Sequence, residues 1–295
     1  MSKKDNVKGY EDKKTINCLI TTCHPLNIKW GDNVFDKYSI EIRKLDSFDK
    51  KSILNEKFLL LSKNNMEIYY APHNEIINNN ARVFIVGITP GWSQTSIAYK
   101  TAHDGLMNNL DYETIKKECK RNSRFAGSMR KNLIEMLDEL KLNEKLNINS
   151  CLELFEDKDE LLHTTSIIPY PVFINNKNYT GSNPKILDDE ALLFYMKEYF
   201  YKEVENMKNT LIIPLGKAVE EVLEFMISEK LIKEEQCLLG FPHPSGANGH
   251  RKKQFEENKD NLIIKVNNYF NWKRSDSMNE NKTNINWLIS IYWIL

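Results

Sequence analysis

The sequence predicts an α/β domain built on an open, mostly parallel sheet with helices on both faces. Three observations predict it. Val83 to Ile88 (VFIVGI) is a short, continuous run of β-branched and apolar residues closed by Thr89, Pro90 and Gly91, the pattern of a strand buried on both faces that ends in a loop. Ala126 to Leu142 spaces Met129, Leu133, Met136, Leu137 and Leu140 at threes and fours, the stripe of an amphipathic helix. Strand and helix signals of this kind then alternate four times along the chain.

The second strand runs from His163 to Ile168 and is stopped by Pro169 and Pro171, after which Val172 to Pro184 reads as a polar loop. Leu187 to Met207 is helical in pattern. Thr210 to Leu215 (TLIIPL) is the third strand, with Gly216 at the turn into a helix from about Ala218 to Glu229. The fourth strand, Gln236 to Gly240, leads straight into Phe241, Pro242, His243, Pro244 and Ser245. Residues 76–272 form this unit. Residues 1–75 read as an N-terminal extension packed on it, with a helix at Lys51 to Lys63. Residues 273–284 read as a polar linker, followed by an apolar tail with Trp287 and Trp293 that docks as a helix or strand.

Apolar residues make up 41% of the chain and charged residues 28%, which excludes a disordered, collagen-like or disulfide-scaffold protein. Lysine plus arginine equals aspartate plus glutamate at 41 each, so any nucleic-acid contact must come from local patches. The first residues, MSKKDNVKGYEDKK, lack the apolar core of a secretory signal, and the longest apolar run, Ile285 to Leu295, falls short of the ~20 residues of a membrane helix. A cytoplasmic monomer without a membrane partner is the expectation. Cys18, Cys23, Cys119, Cys151 and Cys237 form no CxxC pair, and their odd number suits reduced thiols.

In open α/β sheets the ligand sits beyond the carboxyl ends of the strands. Those ends carry GITPG (Gly87 to Gly91), PYPVF (Pro169 to Phe173) and FPHPSGANGHR (Phe241 to Arg251). GITPGW is not GxGxxG, and Gly216-Lys217 lacks the earlier glycine of a phosphate loop, so no nucleotide cofactor is expected. There is no HExxH, the six histidines His24, His73, His103, His163, His243 and His250 are scattered, and no metal is expected. HPSGA around Ser245 is not the GxSxG of a serine hydrolase.

GITPG and HPSGANGHR, in this order, resemble the two signature motifs of the uracil-DNA glycosylase superfamily: a strand followed by GQDPY, GINPG or GEAPG, and a histidine in HPSP or a close variant. Arg124-Phe125-Ala126-Gly127 resembles the PFxG segment that supplies a base-stacking phenylalanine, and TLIIPLGKAV the third strand with its LGxxA turn. The resemblance covers about Ala81 to Trp272. It implies a three-layer α/β/α sandwich with a four-stranded, mostly parallel sheet, and it implies base flipping from DNA followed by hydrolysis of the N-glycosidic bond. It assigns His243 to the histidine that donates to the base as negative charge develops there. Gly87, Ile88 and Pro90 match the backbone lining of the water and base pocket. Phe125 matches the stacking aromatic, and fits a core residue at a helix start nearly as well. Ser245 matches a phosphate contact, and Asn248, His250 and Arg251 follow where the superfamily pushes a loop into the duplex. The leucine wedge is missing from Gly246-Ala247-Asn248. Lys116, Lys117, Lys120, Arg121, Arg124, Arg130 and Lys131 form a basic stretch for the DNA backbone, or a solvated helix face.

The departures are informative. The most active uracil-specific branch has an aspartate where this chain has Thr89, whose hydroxyl holds a water but is no general base near neutral pH. Asp104, in the loop after the first motif, is the alternative carboxylate. Gly91 replaces a tyrosine that blocks substituents on C5 of the pyrimidine, and Ser166 replaces the base-reading asparagine, leaving one hydroxyl for an amide's paired donor and acceptor. Both changes open the pocket to a bulkier base, such as a 5-modified cytosine or thymine. Phages modify cytosine at C5, sometimes with glucose, so excision of such a base would serve antiphage defence, with the loop Asn175 to Asn183 facing a sugar or only solvent. The cysteines do not reproduce the four-cysteine iron-sulfur pattern of one branch. Competing readings are a repair glycosylase for uracil or another deaminated base, a base-flipping module without hydrolysis, and a small-molecule N-ribosyl hydrolase.

Overall fold

The computed structural model describes the backbone of residues 34–292 and the side chains through residue 273. At its centre β3 (Val83–Gly87) pairs in parallel with β4 (Leu162–Ser166) on one side and β7 (Leu211–Pro214) on the other. All three strands are buried throughout. Their side chains alternate between two apolar clusters: Phe84, Val86 and Ile212 face one, Val83, Ile85, Leu211 and Ile213 the other. That period of two with apolar residues on both faces is why VFIVG reads as a continuous hydrophobic run. The expected fourth strand is present as a single parallel bridge, Ile212 to Cys237, reinforced by Leu238 N–H donating to the Ile212 carbonyl at 2.8 Å. The parallel sheet therefore has three full strands and a stub.

Helices cover both faces. On the first face lie α3 (Trp92–Met107), α4 (Tyr112–Ser123) and α9 (Lys217–Ser228), together with α7 (Glu190–Tyr195), which continues through a π turn at Met196–Phe200 into α8 (Tyr201–Glu205). On the second face α5 (Ser128–Glu139) buries Leu133, Met136 and Leu137, beside α6 (Leu142–Leu146) and the long α10 (Arg251–Tyr292). The α/β sandwich of three layers follows. The backbone of α10 stays helical through 273–284, the segment expected to be a linker. The tail's Trp287 and Trp293, and Cys18 and Cys23, lie outside the residues whose side chains are described.

A second sheet was not foreseen. It is antiparallel, in the order β1 (Leu59–Lys63), β2 (Met66–Tyr69), β5 (Val172–Ile174), β6 (Lys177–Asn178). The helix expected over Lys51 to Lys63 is thus only α2 (Lys50–Ile53), N-capped by the Asp49 carboxylate, before the chain turns into β1. The polar loop expected from Val172 to Pro184 begins as the β5–β6 hairpin instead. Its Asn175 and Asn176 both have positive φ, 48° and 60°, as the tight hairpin turn requires. Residues 34–75, with α1 (Val34–Arg43), share one apolar cluster with the first face of the parallel sheet.

Candidate base pocket

The carboxyl ends of β4, β3 and β7 place Ser166, Gly87 and Pro214 side by side, and the candidate residues gather there. Gly87 is closed in: a Cβ on it would lie 3.5 Å from Ser166 Oγ and 3.7 Å from Phe125 Cε1. The Phe125 ring therefore lies in packing distance of the backbone of the first motif. Phe125 is 5% exposed and holds φ of 51°, a left-handed conformation costly for an aromatic residue, just before Gly127 at φ 84° opens α5. It is both a core residue of the second face and a wall of a pocket.

That pocket is lined by Phe125, Ser166 and Thr165 from the parts the motifs point to, and by His73, Gln94 and Lys120 from parts they do not. It has room for about one water molecule. Lys120 donates from Nζ to the Ile76 carbonyl at 2.8 Å, and burial lowers its pKa to about 8. Beneath the pocket, Thr165 and His163 both hydrogen-bond the buried Glu203 carboxylate, and burial pushes His163 down to about 4.

His243 is not among the residues that line this pocket; it packs against Gly216, just beyond the end of β7. Gly216 makes room for it: at φ 89° it takes a conformation glycine favours, and a Cβ there would sit 2.9 Å from His243 Cβ. His243 Nδ1 accepts the Ser245 N–H at 3.2 Å, and burial lowers the ring's pKa. A neutral ring with Nδ1 occupied as acceptor carries its proton on Nε2. The tautomer that donates is thus the one the loop selects. The loop is braced by its own polar groups: Asn248 Nδ2 donates to the His243 carbonyl at 3.2 Å, Arg251 donates to the Ser245 carbonyl at 3.0 Å, and Asn132 Nδ2 to the Pro244 carbonyl at 2.8 Å. Ser245, Asn248 and Arg251 therefore hold the histidine loop in shape, whereas His250 is exposed.

Thr89 also has a structural bond on each side. Its hydroxyl donates to the Tyr170 carbonyl at 2.6 Å and accepts the Val172 N–H at 3.1 Å, tying the first motif to the chain after β4. Pro90 is buried, and Ile88 is half-buried with its carbonyl accepting the Ile168 N–H. Gly91 opens α3, and a Cβ there would meet only Asn178 Nδ2 at 3.7 Å. Asn178 in turn accepts the Trp92 N–H at 3.1 Å, which brings the β6 hairpin to the mouth of the first motif.

Two expectations need correction. Asp104 is in the helix α3, not in a loop; it is ion-paired with Lys100, which holds its carboxyl below the usual range, and does not line the pocket. The basic stretch is not one surface. Lys120 and Arg124 are 8% and 7% exposed and turn inward, with Arg124 donating to the Leu154 carbonyl at 3.2 Å, so neither is set out for a phosphate. Lys116 is buried against Glu113, and Arg130 is spent on the carbonyls of Arg121, Asn122 and Arg124. Lys117, Arg121 and Lys131 remain exposed. The residues that sequence reasoning passed over are His73, Asn74, Gln94 and the inward role of Lys120. His73 stood among the scattered histidines, and only tertiary packing brings its loop to the strand ends.

Residues 75–271 match the Uracil DNA glycosylase superfamily, and the chain belongs to that superfamily, whose members are DNA glycosylases. It is also 45% identical over 224 residues, 76% of this chain and 88% of the relative, to the protein named "Uncharacterized protein YoxB" of Bacillus subtilis (strain 168). No solved structure matches it. Among the described residues, no helix is long and apolar enough to cross a membrane.

Proposed function

We propose that the protein is a monofunctional DNA glycosylase that flips a base from DNA and hydrolyses its N-glycosidic bond, leaving an abasic site. The observation that carries this is the hydrogen bond from the Ser245 N–H to His243 Nδ1, which leaves Nε2 to carry the proton of a neutral ring as a donor. As the bond to C1′ breaks, the electron pair goes to the base and positive charge develops on the sugar. A neutral N–H aimed at a base oxygen stabilises that anion without first giving up a proton of its own. Water then adds to C1′ and loses a proton to solvent or a nearby acceptor. The Thr89 hydroxyl proton is already donated to Tyr170, so Thr89 has a lone pair to hold a water but no basicity to deprotonate it. Leaving-group stabilisation accordingly carries most of the rate enhancement.

For the base we favour a 5-modified pyrimidine such as hydroxymethylcytosine or its glucosylated form, which makes the enzyme an antiphage defence. Gly91 supports this: its surroundings are open except for the Asn178 amide, a polar group suited to a hydroxyl or a sugar. A repair role on uracil or another deaminated base is the second reading, favoured by the family itself. In either role a DNA-bound monomer in the cytoplasm is the expected form. The test is excision from end-labelled DNA carrying uracil, hypoxanthine, 5-hydroxymethylcytosine or its glucosylated form, with alkali to reveal abasic sites and His243→Ala as control. Cleavage confined to the glucosylated base establishes defence, and cleavage at uracil alone establishes repair. Binding without cleavage of any substrate overturns hydrolysis.

A further inference from the structure

The loop between β2 and β3 is fastened on every side, yet the imidazole at its centre is not. Tyr99 donates to the Tyr70 carbonyl at 2.8 Å, and Asn74 Nδ2 donates to the Pro169 carbonyl at 3.0 Å. Glu75 accepts the Tyr70 hydroxyl and the Phe35 N–H. Lys120 holds the Ile76 carbonyl, and Asn78 holds the carbonyls of Glu160 and Leu162. His73, 4% exposed, lines the pocket with Ser166 and Phe125, and neither of its ring nitrogens has a partner. The Nε of Arg124, on the same pocket, is likewise buried and unpartnered.

Buried polar atoms in folded proteins are almost always paired, because leaving them dry is costly. Three such atoms on two side chains of one pocket, one in a loop held through Asn74, Glu75 and Asn78 and one at the end of α4, mark a place where a ligand supplies the partners. Ser166 offers that ligand only a hydroxyl. A neutral imidazole offers one N–H and one lone pair, the pair of functions that an asparagine amide would have supplied, and the Arg124 Nε–H adds a second donor. Burial, with Lys120 nearby, keeps His73 neutral by pushing it down to about 3, so both functions persist at physiological pH.

Resting on the glycosylase reading, we propose that His73 is the specificity-determining residue that reads the hydrogen-bonding edge of the flipped pyrimidine, in place of the side chain lost at Ser166, with the Arg124 Nε–H beside it. His73 lies outside both signature motifs and comes from the hairpin segment that leads into the parallel sheet. Base choice in this chain is then set partly by the N-terminal part of the protein.

The test uses the full chain and three forms: wild type, His73→Leu and His73→Asn. Thermal unfolding is measured for each, along with single-turnover excision of every base in the panel and the ratio of Kd for DNA carrying that base to Kd for the same duplex with an abasic site. His73→Leu is expected to melt at or above the wild-type temperature, since it removes two orphaned buried atoms. It should also lose at least about 10-fold in excision of the preferred base and flatten the preference between bases, while His73→Asn restores much of the preference. A leucine variant that melts lower with its preference among bases unchanged assigns His73 a structural role and overturns the proposal, as does an unchanged preference at unchanged stability. If the wild type excises no base, hydrolysis falls separately. The Kd ratio then decides: its collapse towards one in His73→Leu upholds base reading, and its persistence overturns it.

Discussion

At the scale of single residues, the site is defined as much by what is small as by what is reactive. Gly87 lets Phe125 close on the backbone, Gly216 lets His243 approach, and Gly91 leaves a gap beside Asn178. Of these, Gly216 has a steric need for glycine, whereas Gly91, at φ −80°, has open surroundings. Gly91→Tyr is therefore expected to fold normally and to block 5-substituted bases. Excision of the glucosylated base should fall by at least about 10²-fold against uracil, measured as the ratio of kcat/KM. Equal loss on both bases would show that the side of the pocket opened by Gly91 does not contact C5. His243→Ala is the complement: loss of one oriented donor should lower single-turnover excision by about 10²–10³-fold on every base, with DNA binding kept.

At the scale of elements, the connections carry the function. Thr89 joins the end of β3 to the chain leading into β5 through two hydrogen bonds. Thr89→Val keeps the shape but leaves the Tyr170 carbonyl and the Val172 N–H without that partner, which should cost about 1–3 kcal/mol in denaturant unfolding. A variant that loses activity with stability intact would instead return Thr89 to the water. On α4 and α5 the exposed cations are few, so Arg121→Ala should lower the slope of log K against log salt for DNA binding by about 1, without changing base preference. These elements were unequally legible. VFIVG and LIIP announce themselves because both faces of the parallel sheet are buried, whereas β1 was absorbed into a helix because Leu59, Leu60 and Leu61 continue the apolar spacing of Ile53 and Phe58. One hairpin signal was present, as Asn64-Asn65 separates two short apolar runs, whereas Asn175-Asn176 is followed by the polar Lys177-Asn178. The first and last motifs pointed to Gly87 and His243, and the Arg124–Gly127 segment to Phe125. His73 has no local pattern, because its role arises only where β2, β4 and α4 converge.

At the scale of the whole molecule, function and acid stability are coupled through the same buried groups. Folding holds His73 near 3 and His163 near 4, whereas an exposed histidine titrates near 6.5. Below pH 6.5 the unfolded chain therefore takes up protons on these rings that the folded chain does not, and stability falls as pH falls. Glu75 opposes them: burial raises its folded pKa to about 7, so its contribution is present below about 4.5 and is lost as pH rises through 7. Two histidines outweigh one carboxyl, and His243, also lowered by burial, adds to their side. Wild-type stability should thus decline from pH 6.5 to pH 5. His73→Leu removes one of the protons responsible, so its decline should be shallower by about 1.4 kcal/mol per pH unit, a difference of about 2 kcal/mol by pH 5. Urea unfolding of both proteins at pH 7, 6 and 5 measures this directly. Parallel losses would mean that His73 is protonated in the folded state as readily as in the unfolded one, which would require a solvent or anionic partner for a ring that is buried and has no hydrogen-bond partner in the fold. Divergent losses would show that the orphaned ring which suits base reading also costs the protein acid stability.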